Sequence, residues 1–509
     1  MYPPKPLLIA ALLLALLLRD GQQGTRAADT TAPDVAAIDA YVQAEMRADR
    51  VPGAALAIVH GKEVVHMRGF GDDGAGNPVT PQTAFILGSM SKSFTAVAIM
   101  QLVEQGKLQL DVPAQRYLPW FRVADPDASA RITVRHLLNH TSGIPTKAPH
   151  ATDEPLTIEA HVRALATVVP RHAPGEVFEY ASPNYLVLGA IIERVTGQSY
   201  AAYVQRSIFT PLDMRHSFTS QTAALQSTMA RGHRYWFGFP RPAVLSYEAD
   251  RMPTAALISS AEDLAHVLLA QLNDGRYGVH ALLSPESVVE MQRPAIQAEG
   301  FSYAMGWLVS EMHGATAVHH GGVVSHFHGK MVLLPREGWG VVVLTNVSST
   351  LSSMLAVSPT SHRIADNVAG ALMGKPLPAP GSPLQRIHLA VTAGIVLLTF
   401  GQIKDLVALR RWRSRLLTKS RQSLIMGLST DILLPAALLL GLPAVLDLPW
   451  SEVLRSMPDV GYWLIGSSVL GVLTGLWKAV VAYQATWSRK APGAGNEPAH
   501  PSLSTHVAD

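Results

Sequence analysis

Along the chain, stretches whose apolar residues recur every three to four positions alternate with stretches that are apolar without a break, and their order predicts the fold. From Asp34 to Arg47, Ile38, Tyr41, Val42 and Met46 share one helical face. Two strand-like runs follow, Ala54 to His60 and Glu63 to Gly69, joined by Gly61-Lys62 as a tight turn. Beyond a Gly/Asp/Pro-rich loop (71–81), Phe85-Ile86-Leu87-Gly88 leads into a helical pattern that aligns Phe94, Val97, Met100 and Val103 and ends at Gly106. Residues 134–272 read mostly as helices and loops. Strand character returns at Tyr303 to Ser310 and at Ala317-Val318, then strongly at Gly329 to Leu334 and Gly340 to Leu344 around a turn at 335–338. Strands early, helices in the middle and strands late predict an α+β domain over 35–372, its sheet assembled from both ends of the domain and its site in the cleft below a helical insert.

The two ends of the chain have a different pattern. Behind Lys5, an unbroken apolar run from Leu7 to Leu18 precedes the small residues Thr25, Ala27 and Ala28, which predicts a secretory signal over 1–27, with an uncleaved anchor as the alternative. Residues 373–386 carry Pro376, Pro378, Pro380 and Pro383 and read as a semi-extended linker. Beyond it, within 387–486, come three apolar stretches, about 387–405, 424–446 and 460–483, each long enough or nearly so to cross a bilayer as a helix. A polar tail, 491–509, reads as disordered. Lys404, Arg410, Arg411, Arg413, Arg415, Lys419 and Arg421 place the first connecting loop in the cytoplasm; Asp447, Glu452 and Asp459 against Arg455 place the second outside; Arg489 and Lys490 hold the C-terminus inside. The expected protein is a multi-pass cell-membrane protein whose large domain is extracytoplasmic, periplasmic or at the cell surface. Asp431 and Lys478 fall at similar depth in their stretches, and intramembrane charges tend to pair, so these two are expected to meet.

Composition narrows the chemistry. Apolar residues make up 48% of the 509 and charged residues 16%, and the apolar excess gathers at the two ends. A net charge of +3, without a stripe of basic and aromatic residues, excludes nucleic acid as a partner. The lack of cysteine removes disulfides, a thiol nucleophile and thiolate metal sites. His319, His320, His326 and His328 lie close together, yet no Asp or Glu joins them at metal-ligand spacing and there is no H-E-x-x-H, so neither a metal nor a cofactor is expected.

Ser89-Met90-Ser91-Lys92 stands at the start of a helix, where residues three apart share a face and where developing negative charge is favoured. A serine hydroxyl needs a base to become a nucleophile, and a desolvated lysine can serve. The segment Phe85 to Ala96 closely resembles the nucleophile segment of the serine β-lactamase and penicillin-binding-protein family, in its class C-like branch. The resemblance continues in order through Gly106 to Asp111, Ile132 to Gly143, Pro174 to Tyr180, Leu188 to Glu193, Ser259 to Leu264 and Met305-Gly306-Trp307, and spans roughly 35–372. It implies a β-lactamase/transpeptidase-like domain, an antiparallel sheet with a helical subdomain, followed here by the three apolar helices. It also implies an acyl-enzyme mechanism in which Ser89 is the nucleophile, Lys92 its activator and Tyr180 the proton relay. The family's Tyr-x-Asn reads Tyr180-Ala181-Ser182, so a substrate-binding amide is missing, and Asn184 is the nearest replacement. The third element reads His319-His320-Gly321. By resemblance His319, Gly321 and Ser182 bind substrate, and the Gly322 amide joins that of Ser89 as an oxyanion hole. A histidine in place of lysine grips a carboxylate less firmly, which points to ester, amide or D-amino-acid peptide substrates, with β-lactam hydrolysis weak. The alternative is a membrane sensor that is acylated but turns over slowly.

Overall fold

The computed structural model describes residues 33–148, 157–243, 247–381, 383–412, 421–446 and 449–487; the expected signal segment, the polar tail, residues 413–420 of the basic loop, and Arg489 and Lys490 lie outside them. Within these bounds the chain falls into two compact units divided between Val391 and Thr392.

The first unit is built on one eight-stranded antiparallel sheet. Helix α1 (Val35–Asp49) begins on the Asp34 cap, whose side chain accepts from the Ala37 amide, and leads into strands β1 (Gly53–His60) and β2 (Glu63–Gly71). Helices α2 (Ser91–Glu104), α3 (Ser182–Thr196) and α4 (Ala261–Leu272) belong to the insert. The chain then returns through β3 (Ile296–Ala298), β4 (Phe301–Tyr303), β5 (Leu308–Met312), β6 (Ala315–Val324), β7 (Phe327–Leu334) and β8 (Trp339–Thr345). Strand order across the sheet is β2-β1-β8-β7-β6-β5-β4-β3, so β1, from the start of the domain, pairs with β8 from its end. Helix α5 (Thr360–Leu372) closes the domain.

The continuous apolar runs at β1 and β8 follow from burial on both faces. Leu56, Ile58, Val341 and Val343 pack with Ile38, Val42, Ile364 and Val368 of α1 and α5. Ala55, Ala57, Val342 and Leu344 point the other way, into the core shared with α2, α3 and α4. Burying such side chains contributes roughly 1.5–3 kcal/mol each for the larger ones, so this double layer dominates the stability of the domain.

Two strands differ from the expectation. The run Tyr303 to Ser310 is not one strand but a hairpin: β4 and β5 pair antiparallel, and the chain turns at Gly306, whose φ of +77° is left-handed. Strand β6 extends from Ala315 to Val324, well beyond Ala317-Val318, because pairing with β5 on one side and β7 on the other overrides the poor strand propensity of two histidines and two glycines. The Pro-rich segment is also less free than its composition suggests. Gly381 donates its amide to Glu45 at 3.0 Å and accepts from Arg363, and a helix already begins at Pro383.

That helix, α6 (Pro383–Leu409), passes into the second unit, where α7 (Arg421–Leu446) and α8 (Pro458–Trp487) follow. By length and composition α6 and α8 suffice to cross a membrane; the apolar part of α7, Ile425–Gly441, is shorter. Lys478 of α8 donates to Asp431 of α7 at 2.5 Å, the pairing expected from their depth.

Candidate active site

Ser89 sits in a single helical turn, Gly88–Met90, that runs directly into α2. Gly88 has a φ of +58°, and a Cβ there would lie 2.5 Å from the Val323 nitrogen, so only glycine lets this turn lie against β6. The contact is closer still from the other side: a Cβ on Gly322 would stand 1.8 Å from the Leu87 carbonyl oxygen. The backbone of β6 at Gly322 is thereby pressed onto the residues that present Ser89.

One helical turn on, Lys92 is fully buried. Its Nζ lies 3.1 Å from Ser89 Oγ, 3.3 Å from Ser182 Oγ and 3.0 Å from the Thr254 carbonyl oxygen, in the turn Met252–Ala256. It also stands 4.9 Å from the centroid of the Tyr180 ring. Ser89, Lys92, Tyr180 and Ser182 therefore converge, drawn from α2, the loop before α3 and the first turn of α3. Ser89, Tyr180 and Ser182 are partly exposed, as groups that meet a substrate must be, while the lysine is sealed beneath them.

Asn184 does not replace the missing amide. It is completely buried, accepts from Ser142 Oγ at 2.6 Å and donates to His140 Nδ1 at 3.1 Å, turned into the protein rather than toward a substrate. His140, whose backbone φ is +57°, also receives the Ala181 amide on Nδ1 at 3.1 Å, which puts its proton on Nε2. Its ring packs 4.4 Å from that of Tyr180 and 4.7 Å from that of Tyr303. Burial first, then the charge of Lys92, holds His140 well below the usual histidine range, so it is neutral.

The third element requires a correction. His319 pairs across the ladder with Val332, part of the α1/α5 core, whereas His320 pairs with Met331, part of the core around α2. His319 accordingly turns away from the site and hydrogen-bonds Ser310 Oγ at 3.0 Å. Gly321 faces the same way, toward His362 of α5. The histidine facing the catalytic groups is His320: its Nδ1 donates to the Gly321 carbonyl at 2.7 Å, and its Nε2 lies 3.4 Å from the Tyr303 hydroxyl. Burial, then Lys92, pushes His320 down to about 3, so it is uncharged near neutrality. Sequence reasoning missed His320, His140, Tyr303 and the Thr254 carbonyl. Strand alternation could have separated His319 from His320, but only once the facing of one residue of β6 was known.

Among known proteins, the Beta-lactamase family description matches residues 38–359. The chain belongs to the β-lactamase family, whose members are generally serine hydrolases. It is 28% identical to Protein flp of Staphylococcus aureus (strain COL) over 434 residues, covering 83% of this chain and 85% of that protein. That share exceeds the 391 residues of the first unit, so the matched span reaches into the apolar C-terminal segment. Penicillin-binding protein 4 of Amycolatopsis lactamdurans is 30% identical, covering 68% of this chain and 92% of its own length. Among solved structures, the octameric penicillin-binding protein homologue from Pyrococcus abyssi superposes with a TM-score of 0.58 at 29% identity, over 68% of this chain and 79% of its own.

Proposed function

We propose that the protein is a membrane-anchored serine hydrolase that forms an acyl-enzyme on Ser89 and acts outside the cytoplasm on an ester, amide or D-amino-acid peptide. The observation that carries this reading is the sealed Lys92, one helical turn from Ser89 and 3.1 Å from its hydroxyl oxygen. The Thr254 carbonyl can only accept and always takes one lysine proton; the two serine hydroxyls can donate or accept. The Ser89–Lys92 hydrogen bond reverses once Lys92 gives up one of its three protons to solvent, and the amine then accepts the serine proton as the hydroxyl attacks a carbonyl. In this reading Tyr180, whose ring centroid lies 4.9 Å from Lys92 Nζ, passes that proton to the leaving group, after which water releases the acyl group from Ser89. In this reading the amide of Ser89 and a β6 amide at Gly322–Val323, where the strand is pressed onto the serine turn, form the oxyanion hole.

Anchoring rests on α6 and α8, with α7 as a third span, and on the charge pattern that leaves the catalytic domain extracytoplasmic and the C-terminus inside. The penicillin-binding relatives favour a substrate that penicillin resembles over unrelated esters. The test pairs a chromogenic short-chain ester with a fluorescent penicillin, each beside Ser89→Ala. Ser89-dependent turnover of the ester, falling by roughly 10⁴ in the variant, supports the hydrolase. Turnover that survives Ser89→Ala sinks the assignment, and lasting penicillin labelling without turnover moves the reading to a sensor.

A further inference from the structure

A hairpin outside the catalytic cleft combines features that the proposed activity does not use. Its strands, His233–Trp236 and Phe239–Pro242, are joined by Phe237 and Gly238, both left-handed at φ +51° and +74°. Such a two-residue turn is normally filled by Asn-Gly or Asp-Gly. Here the first place is taken by a phenylalanine, a conformation that disfavours a bulky side chain. The tip thus carries Trp236, Phe237 and Phe239 in succession, and Phe239 is 51% exposed.

Arginines surround the tip. Arg50, itself left-handed at the end of α1, sets its guanidinium 4.1 Å from the Phe239 ring centroid and donates to the Gly238 carbonyl at 3.2 Å. Arg47 and Arg241 are exposed. Arg47 and Arg50 also line a cleft of about 470 Å³ between α1 and β2, with Val51, Arg68 and Phe70 as its other walls. A guanidinium stacked on an aromatic ring retains spare N–H donors for an anion.

The position of the hairpin gives these features a partner. A Cβ on Gly238 would lie 3.0 Å from His388 Cβ and 3.1 Å from Gln385 Oε1. The Tyr235 ring packs 4.7 Å from that of His388, and Gln385 donates to the Asp49 carbonyl at 3.1 Å. The hairpin tip therefore touches the first turns of α6, within the first unit, just after Arg386 and where the apolar run from Leu389 begins. If α6 enters a bilayer there, the tip lies level with its surface. Aromatic rings with arginines at that level are the chemistry of a membrane interface.

We propose that the tip of the hairpin His233–Pro242, together with Arg47, Arg50 and Arg241, is a lipid-binding surface: the aromatic rings enter the interfacial layer of the bilayer that receives α6, and the guanidinium groups bind anionic headgroups. The proposal rests on the membrane reading of α6. It goes beyond anchoring, because the first unit then makes a lipid contact of its own through the hairpin.

The lack of native cysteine permits a direct test in the full chain. Single variants Phe239→Cys, Leu397→Cys in α6 and Val169→Cys on an exposed loop are labelled with an environment-sensitive fluorophore. The protein is placed in nanodiscs of phosphatidylcholine, alone or mixed with phosphatidylglycerol, carrying lipid-borne quenchers. The expected result is strong quenching at 239 and 397 and little at 169, with quenching at 239 increased by phosphatidylglycerol. Arg47→Glu combined with Arg241→Glu should abolish that increase without changing the melting temperature; Arg241→Glu alone serves if the pair does not fold. Quenching at 397 but not at 239 overturns the surface and leaves the anchor intact. No quenching at 397 overturns the membrane reading and the surface with it. Quenching at 239 that ignores both lipid charge and the arginine substitutions overturns the headgroup assignment.

Discussion

A lysine ammonium has three protons to place, and Lys92 has three oxygens around it. Ser182 supplies one of these, in the position where the Tyr-x-Asn motif it resembles has an asparagine. We propose from its contact with Lys92 that it takes part in proton transfer, beside the substrate-binding part inferred from resemblance, and the two roles separate kinetically. Removing an acceptor from a charged donor costs about 1.5–3 kcal/mol, so Ser182→Ala should lower kcat by about 10- to 100-fold with KM little changed, read from steady-state ester hydrolysis. A rise in KM at constant kcat would restore the substrate-binding role. His320 supports a second prediction at this scale. The unfolded chain protonates this histidine near its ordinary value of 6.5, whereas the folded protein does so only near 3, so stability falls as the pH drops from 6.5 toward 3. Each pH unit in that window costs about 1.4 kcal/mol for such a group, and His320→Gln should reduce the slope of denaturant midpoints across it by about that amount, His140, His319, His328 and His362, lowered by burial in the same way, supplying the rest. The nucleophile and its lysine were legible because their spacing is local, three residues on one helix. The histidine was not, because neighbouring residues of a strand face opposite ways and only the ladder shows which faces the cleft.

At the scale of elements, the site depends on how closely β6 approaches the turn that carries Ser89. Gly322 stands where any Cβ would overlap the Leu87 carbonyl, and Gly306 is similarly confined, a Cβ there lying 3.0 Å from the Lys92 carbonyl oxygen. Ser93 ties the same loop down by donating to the Gly306 carbonyl at 2.7 Å. Gly322→Ala must therefore push β6 from the turn and, under the proposed mechanism, carry the amides at Gly322–Val323 away from the oxyanion position. Loss of one such donor costs about 10²- to 10³-fold in kcat, and we expect a loss of at least that order, measured on the ester beside a thermal melt. Activity near that of the parent would mean that the amides at Gly322–Val323 contribute nothing to the reaction. Helices α1 and α2 and strands β1, β7 and β8 were legible from periodicity and apolar runs, because each is buried on a face or on both. The full length of β6 was hidden by its His-His-Gly-Gly centre, and the β4–β5 hairpin by a single left-handed glycine, since both depend on contacts distant in sequence.

For the whole molecule, the remaining question is what would hold the apolar helices of the second unit together under the proposed membrane anchoring, where lipid provides no hydrophobic drive for them to associate. The structure gives two answers at one place. Gly471 and Gly475, one turn apart on α8, bring its backbone against α7: a Cβ on Gly475 would lie 2.4 Å from Ile432 Cγ1, and one on Gly471 would lie 2.8 Å from Pro435 Cγ. Just beyond, Lys478 meets Asp431. The charges were legible as a pair from their depth alone, whereas the small residues that allow the approach became meaningful only when the helices were seen together. The two devices are coupled, because the ion pair forms only if the backbones are close, and the close approach leaves no room for two unpaired charges. Asp431→Asn or Lys478→Met alone strands the other charge; the pair is partly buried, Lys478 at 15% and Asp431 at 35% side-chain exposure, so the cost stays below the roughly 3–5 kcal/mol of a fully buried pair. Each single variant should lower the detergent-unfolding midpoint. The exchange Asp431→Lys with Lys478→Asp should recover most of the loss, and Gly475→Leu should match the single charge variants without altering any charge. If the exchanged pair is no better than either single variant, the groups do not interact. If Gly475→Leu is harmless, the association of α7 and α8 rests on the ion pair alone.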